Sequence, residues 1–425
     1  MQASYTKNYL KIYFWQILSI VLNLLSLFIV VPKLTSQPEI YGVYSVCIAA
    51  SIFLSYADLG FVNAGFKYAS ECYARSDKAG ELKTTGFTAF ILLIFVLIFA
   101  IVVTAISIHP AWLIKDIDSI PARAKIASQL LLILAVFSPN IILQRGLQII
   151  FGVRLEDYLL QGTLIVVSLT KITSVYYFFG NGRHEIVQYF LFSQAALTLG
   201  LISAFYIAKR KYGVSIWRFF RSVRFSKSIY IEIKSLAYSS LFLTISWILY
   251  YELSIYAIAK LAGADEVAYY SIGLTCLTFF RSIFGALFNP FSARFNHFTA
   301  QNDEIALRNF YSAILKVMLP VVVFPVLSIV FLSRPFVLSW VGEGFTDSIR
   351  VVQILSLVNI LGFISYPTSV LLVARKRISS IYFLAGIQPV IFWTGIAICF
   401  PFQGYIAFAY FTLAAFLISG IIYTI

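Results

Sequence analysis

Four cations stand inside otherwise apolar stretches of this chain: Arg145, Lys171, Arg281 and Lys316. An Arg or Lys at the centre of a membrane helix costs roughly 2.5–3.5 kcal/mol, so such a residue turns toward protein, toward water or toward the membrane surface. Depth separates the four. Arg281 is near the middle of its apolar block, Lys171 is past the middle of its own, and Arg145 is in the half that runs into a basic loop. Lys316 is near a block end, where its long stem can snorkel to the interface. Cations that face an internal cavity would hold anions through charge-assisted hydrogen bonds.

Polar side chains accompany two of these cations. Asn140, Gln144 and Gln148 recur every four residues beside Arg145, and Ser271, Thr275, Thr278 and Ser282 share one helical face bordering Arg281. Both sets can line a cavity, and both can equally tie helices together. Two acids fall within apolar blocks. Glu252 can pair with a membrane cation or bind and release a proton, which makes it a candidate for coupling to an H⁺ or Na⁺ gradient. Asp58 is a second candidate, with an interfacial pair to Lys67 as the equal alternative. Cations outnumber acids within the blocks, and this favours an anionic ligand. Prolines 139, 320, 325, 367 and 389 interrupt blocks and permit kinks. No phosphate-binding Gly-rich loop, H-E-x-x-H or Cys/His cluster is present. The expectation is therefore a protein that is not an enzyme and has no metal and no bound cofactor. His109, His184 and His297 are near block ends and read as interfacial.

The elements that must position these residues are apolar helices. Hydrophobic residues are 60% of the 425 and charged residues 12%, where soluble proteins carry about 25% charged. Twelve blocks are apolar throughout: 11–32, 41–63, 86–108, 127–152, 158–179, 188–208, 235–259, 267–290, 311–333, 351–373, 380–399 and 402–424. At about 1.5 Å per residue each is long enough for a hydrocarbon core of about 30 Å. Continuous apolarity excludes the alternating strands of a β-barrel. The fold class predicted is an all-α polytopic membrane protein of twelve transmembrane helices. The first block is too long for a cleaved signal and is expected to be retained.

Twelve crossings place both termini on one side. With that side cytoplasmic, the inner segments hold 20 Lys and Arg against 8 outside, and the positive-inside rule selects this orientation. The net charge of +14 is thus read as a topology signal and an attraction to anionic membrane lipids, not as nucleic-acid binding. The four cysteines show no disulfide or metal spacing. Residues 209–234 form the longest basic loop and divide the chain into an N-terminal lobe, 1–208, and a C-terminal lobe, 235–425. Within the loop, Ile216 to Phe225 alternates aromatics with arginines, as a helix lying on a membrane surface would, although a solvated linker fits equally. The lobes read as a weak repeat: Tyr41–Cys47 aligns with Val267–Gly273 at an offset of 226, which matches Tyr44 with Tyr270 and Ser45 with Ser271. Six helices per lobe imply a pseudo-two-fold axis along the membrane normal.

The stretches Tyr41-Gly-Val-Tyr-Ser through Ala57-Asp58-Leu59-Gly60-Phe61 and Lys67-Tyr68-Ala69, and Gly263-Ala-Asp-Glu-Val-Ala-Tyr-Tyr-Ser271 through Asn289-Pro290-Phe291 and Arg294, resemble the O-antigen flippase or polysaccharide transporter family. That family belongs to the multidrug/oligosaccharidyl-lipid/polysaccharide (MOP) exporter superfamily, and the likeness covers the whole chain in layout. Leu236 to Ser240 lacks the glycine and proline frequent there in relatives. The resemblance implies a flippase of the bacterial inner membrane. It would carry an undecaprenyl-diphosphate-linked oligosaccharide outward by alternating access, alongside polysaccharide polymerase and chain-length regulator proteins. Arg281, Lys171 and Arg145, with Lys316 nearer an end, would line a cationic cavity between the halves. Asn140, Gln144, Gln148, Thr275 and Thr278 would supply polar lining. A multidrug exporter of the same superfamily would favour acids in its cavity. A membrane O-antigen polymerase or ligase would need a large outer loop, and the longest outer segments here, 109–126 and 334–350, are short.

Overall fold

A computed structural model describes residues 2–56, 60–288, 295, 298–299, 301, 303–374 and 378–424. The described chain is helical, with no strand among these residues. In order the helices are α1 (Gln2–Leu34), α2 (Pro38–Tyr56), α3 (Phe61–Ala74), α4 (Lys78–Ile108), α5 (Pro121–Phe137), α6 (Asn140–Gly152), α7 (Tyr158–Phe178), α8 (Ile186–Tyr212), α9 (Ile216–Ser222) and α10 (Lys227–Trp247). A π turn (Ile248–Glu252) leads into α11 (Leu253–Leu261), and then follow α12 (Ala264–Phe288), α13 (Glu304–Phe331), α14 (Ser333–Val341), α15 (Ser348–Ala374), α16 (Ile378–Gln403) and α17 (Ile406–Thr424). Among the described residues nine helices are long and apolar enough to cross a membrane, and three shorter apolar helices, Pro38–Leu54, Ser348–Phe363 and Ile406–Ile418, join them. These twelve correspond one to one with the twelve apolar blocks, and the chain is a multi-pass membrane protein.

Local chemistry sets the breaks between helices. Asp77 caps α4 by accepting from the Gly80 amide at 2.8 Å, and Asp303 caps α13 through Ala306 at 2.9 Å. Gly213, with φ of 72°, ends α8 in a left-handed conformation. The fourth block is not one helix. Pro139 has no amide hydrogen for the Ala135 carbonyl, and the Ser138 hydroxyl donates to that carbonyl at 2.7 Å instead. The helix is interrupted there, and α6 starts at Asn140.

Two compact units divide the chain: residues 1–34 with 47–244, and residues 35–46 with 245–425. In the first unit α1 packs on α7, α7 on α8, α4 on α3, α5, α6 and α9, and α8 on α5 and α6. The basic stretch after α8 is thus part of the unit: α9 drives Phe219, fully buried, against Phe205 with ring centroids 5.3 Å apart. The Phe219 ring occupies the space a side chain at position 146 would need, since a Cβ there would meet it at 2.5 Å, so only glycine fits. The other faces of α9 carry Trp217, 76% exposed, and exposed Arg218 and Arg221. In the second unit α15 is the hub, packed on α12, α13, α14 and α17. Gly273 lets α12 approach α15 closely, because a Cβ there would meet Val351 at 2.6 Å.

The first turns of α4, absent from the apolar block, supply the partner of a buried cation. Arg154, just past α6, makes a two-pronged pair with Glu81, Nη1 to Oε1 at 2.7 Å and Nη2 to Oε2 at 2.9 Å. It also donates to the Ile150 carbonyl at 2.6 Å, and its guanidinium is 4.9 Å from the Tyr73 ring and 4.5 Å from the Tyr212 ring. Glu156 accepts from Tyr212 and, at 2.8 Å, from Lys211. Burial alone would raise the Glu156 pKa, but the Lys211 and Tyr212 hydrogen bonds outweigh it and hold the carboxyl below the usual range. Asp157 has no such help, and burial pushes it up to about 6.

Two outcomes are expected. Removing one member of a buried ion pair costs about 3–5 kcal/mol, because the other charge is stranded. Glu81→Gln should therefore lower the melting temperature in detergent more than Glu156→Gln, whose partner Lys211 is 42% exposed. For Asp157 the folded state holds its proton more tightly than the unfolded chain, whose Asp titrates near about 3.9. Its contribution to stability is full at the acid end of that window and declines as pH rises toward 6. Asp157→Asn should flatten that part of a melting-temperature versus pH curve and raise the melting temperature at neutral pH.

Candidate functional site

The first unit has a half-open cavity of about 420 Å³ walled by α2, α5, α6, α7 and α8. Asn140, Gln144 and Arg145, all on α6, reach the lining. Lys171 enters from α7, Gln194 from α8 and Ser51 from α2, with Ile48, Leu134 and Leu197 among the apolar walls. Four of the residues singled out in the sequence, Asn140, Gln144, Arg145 and Lys171, are thereby brought together. Gln148 is one turn on from Gln144, where its Oε1 accepts from Arg145 Nη1 at 2.9 Å and fixes the guanidinium. Asn140 donates Nδ2 to Thr198 Oγ1 at 3.0 Å, and the Thr198 hydroxyl is within 2.9 Å of the Gln194 carbonyl.

No lining residue among those described is acidic. Two cations and three carboxamides therefore present a surplus of hydrogen-bond donors to a space of low dielectric, an arrangement suited to oxyanions and to hydroxyl-rich groups attached to them. Gln194, Thr198 and Ser51 were not among the sequence candidates. The signal for Gln194 and Thr198 is the one used for Asn140 and Gln144: two polar residues four apart in an apolar block.

The remaining candidates belong to the second unit, apart from Asp58. Arg281 belongs to the second unit, where its guanidinium is 4.0 Å from the Trp247 ring centroid and 4.3 Å from that of Tyr251. Those two rings stack at 4.8 Å with 27° between their planes. Cation–π contacts of this kind are worth about 0.5–2 kcal/mol. The π turn shapes this site. It spans Ile248–Glu252, and the Leu249 carbonyl within it accepts from Trp393 Nε1 at 2.9 Å. Glu252, the last residue of the turn, is buried. Thr275 and Thr278 spend their hydroxyls on their own helix, at 2.7 Å to the Ser271 carbonyl and 2.9 Å to the Leu274 carbonyl. Lys316 is exposed on α13. Asp58 lies outside the described residues, as do Asn289–Pro290–Phe291 and Arg294.

No protein-family model matches the chain, and no curated protein matches it by sequence. Solved structures do match by fold. An inward-facing multidrug resistance MATE family transporter of the MOP superfamily superposes with a TM-score of 0.70 at 13% identity, covering 95% of this chain and 96% of that one. The lipid II flippase MurJ in an inward closed conformation gives a TM-score of 0.70 at 15% identity, covering 98% and 86%. A MOP superfamily transporter from Pyrococcus furiosus, described as having a binding pocket of reverse polarity, gives 0.60 at 15% identity, covering 98% and 94%. The chain therefore has the fold of the MOP superfamily transporters.

Proposed function

We propose that this chain is a flippase that moves an undecaprenyl-diphosphate-linked O-antigen or related oligosaccharide unit from the inner to the outer leaflet of the bacterial cytoplasmic membrane. The observation that carries the reading is the cavity in which Arg145 and Lys171 meet with Asn140, Gln144 and Gln194 and with no acid among the described lining residues. Sugars and a diphosphate cannot cross hydrocarbon unaided, since each unpaired polar group costs several kcal/mol. A donor-rich cavity replaces their water, while a polyprenyl tail stays in lipid. Transport is by alternating access with both termini cytoplasmic, and Glu252 contributes to coupling to an H⁺ or Na⁺ gradient. Polysaccharide polymerase and chain-length regulator proteins act on the product side. The fold is shared with a multidrug transporter and with a lipid-linked flippase alike. The charge of the cavity favours the second, because a cationic drug would meet two like charges.

In cells lacking the protein, lipid-linked repeat units should accumulate on the cytoplasmic leaflet, and the wild-type chain should clear them. Each charge-assisted hydrogen bond lost is worth roughly 1.5–3 kcal/mol, so Lys171→Met and Arg145→Met should each reduce clearance by about tenfold or more. Normal clearance by both Lys171→Met and Arg145→Met, or cationic drug efflux with no change in lipid-linked glycan, would reject the proposal. Normal pH dependence in Glu252→Gln would remove Glu252 from the coupling.

A further inference from the structure

The stretch that joins α8 to α10 carries an unbalanced charge. Between Lys209 and Ile231 the chain has seven Lys and Arg residues and no acid. Two of the seven are satisfied within the fold: Lys211 pairs with Glu156 at 2.8 Å, and the Arg210 guanidinium is 4.9 Å from the Tyr206 ring. Arg218 reaches back to the Gly213 carbonyl at 3.4 Å. Arg221 and Arg224 are exposed and make no ion pair or hydrogen bond among the described residues.

Local structure sorts the side chains of this stretch. The Ser215 hydroxyl accepts from the Arg218 amide at 3.2 Å and starts α9. Phe219 is fully buried, so the helical period turns Trp217 and Arg221 to the opposite face, with Phe220 on one flank and Arg218 on the other. Trp217, Phe220 and Phe225 are all exposed beside these arginines, which is the composition of an interfacial helix.

Depth separates a helix held at the membrane surface from a solvated linker. α4 has 31 residues, about 46 Å, and outreaches a hydrocarbon core of about 30 Å, so its ends extend into the headgroup layers. The end of α9 meets α4 at Gly86, where a Cβ would stand 2.1 Å from the Ser222 carbonyl oxygen. Gly86 is about 12 Å along α4 from Lys78, and the apolar run of α4 begins there. Phe219 meets α8 at Phe205, about 10 Å before that helix ends at Tyr212. α9 is thus seated above the ends of its neighbours, level with the boundary between headgroups and acyl chains. Tryptophan is enriched at that level.

We propose that α9 and the turn after it form a binding site for an acidic phospholipid, with Arg218, Arg221 and Arg224 on the headgroup phosphate and Trp217 and Phe220 against the upper acyl chains. Charge complementarity selects this partner. Guanidinium groups hold phosphate oxygens in a two-pronged geometry. A zwitterionic lipid brings an ammonium beside its phosphate, which arginines repel, whereas an acidic lipid brings none. The Phe219 anchor ties the lipid contact to the packing of the first unit.

The test uses the full-length protein in nanodiscs of phosphatidylcholine, alone or with part of it replaced by phosphatidylglycerol. Phosphatidylcholine brominated in the upper acyl chain should quench a fluorescence component that is absent from Trp217→Phe, and iodide in the buffer should leave that component unquenched. A Trp217 component quenched by iodide and not by brominated lipid makes the stretch a solvated linker and overturns the inference. Spin-labelled phosphatidylglycerol should associate with wild type at least about fivefold more strongly than spin-labelled phosphatidylcholine, since one basic residue near an anionic surface is worth about that factor. Arg221→Gln with Arg224→Gln, which removes no contact within the fold, should bring the preference to about twofold or less, and Arg221→Lys with Arg224→Lys should keep most of it. Equal association of the two lipids with wild type, or a preference that survives the double Gln variant, overturns the inference. The fluorescence arm needs no charge variant and decides the matter of depth by itself.

Discussion

A cation set among apolar helices must find something better than lipid, and much of this protein's interior follows from how that demand is met. Arg154 is met by an opposite charge, Glu81, at 2.7 Å. Arg281 is met by two aromatic faces at 4.0 and 4.3 Å. Arg145, steadied by Gln148, and Lys171 open instead into a polar cavity. Arg154 and Arg281 are thereby held by protein groups alone, whereas Arg145 and Lys171 line a space that an anion can enter, with no acid among its described lining residues.

Two irregularities in the helices make these solutions possible. In the first unit the missing amide of Pro139 divides the fourth block, the Ser138 hydroxyl donates to the Ala135 carbonyl, and Asn140, Gln144 and Arg145 on α6 line the cavity. In the second unit the π turn widens the helix by one residue, and Trp393 holds the Leu249 carbonyl within it. Trp247, which precedes the turn, and Tyr251, within it, present stacked faces to Arg281. Breaks of this kind are tolerated in membrane helices where neighbouring side chains restore the lost hydrogen bonds, and both breaks meet that condition.

The apolar helices were legible in the sequence because an unbroken apolar run of about 20 residues matches the thickness of a bilayer and would strand too much greasy surface in water. The amphipathic α3 and the first turns of α4 were not legible, because mixed charged and apolar residues there, Lys78 to Thr85 among them, carry no continuous run. Glu81 was hidden in this way, although it is the partner that makes Arg154 tolerable. Half of the candidate cavity was legible: the spacing of Asn140 and Gln144 and the depth of Lys171 pointed to it, whereas Gln194 and Ser51 arrive from helices far away in sequence. Depth states that Arg281 must avoid lipid, and is silent on whether a ring, a carboxylate or a cavity receives it. For that reason depth alone names no partner for Arg281, which the second unit supplies as Trp247 and Tyr251.

The central claim is that Arg145 and Lys171 hold the anionic part of a lipid-linked substrate inside the first unit. The most direct measurement is a cryo-electron microscopy map of the full-length protein in nanodiscs loaded with an undecaprenyl-diphosphate-linked sugar. The account predicts density for the diphosphate within hydrogen-bonding distance, about 2.7–2.9 Å, of the Lys171 ammonium and the Arg145 guanidinium. Diphosphate density at Arg281, or at any site that leaves the cavity beside Lys171 empty, would contradict it.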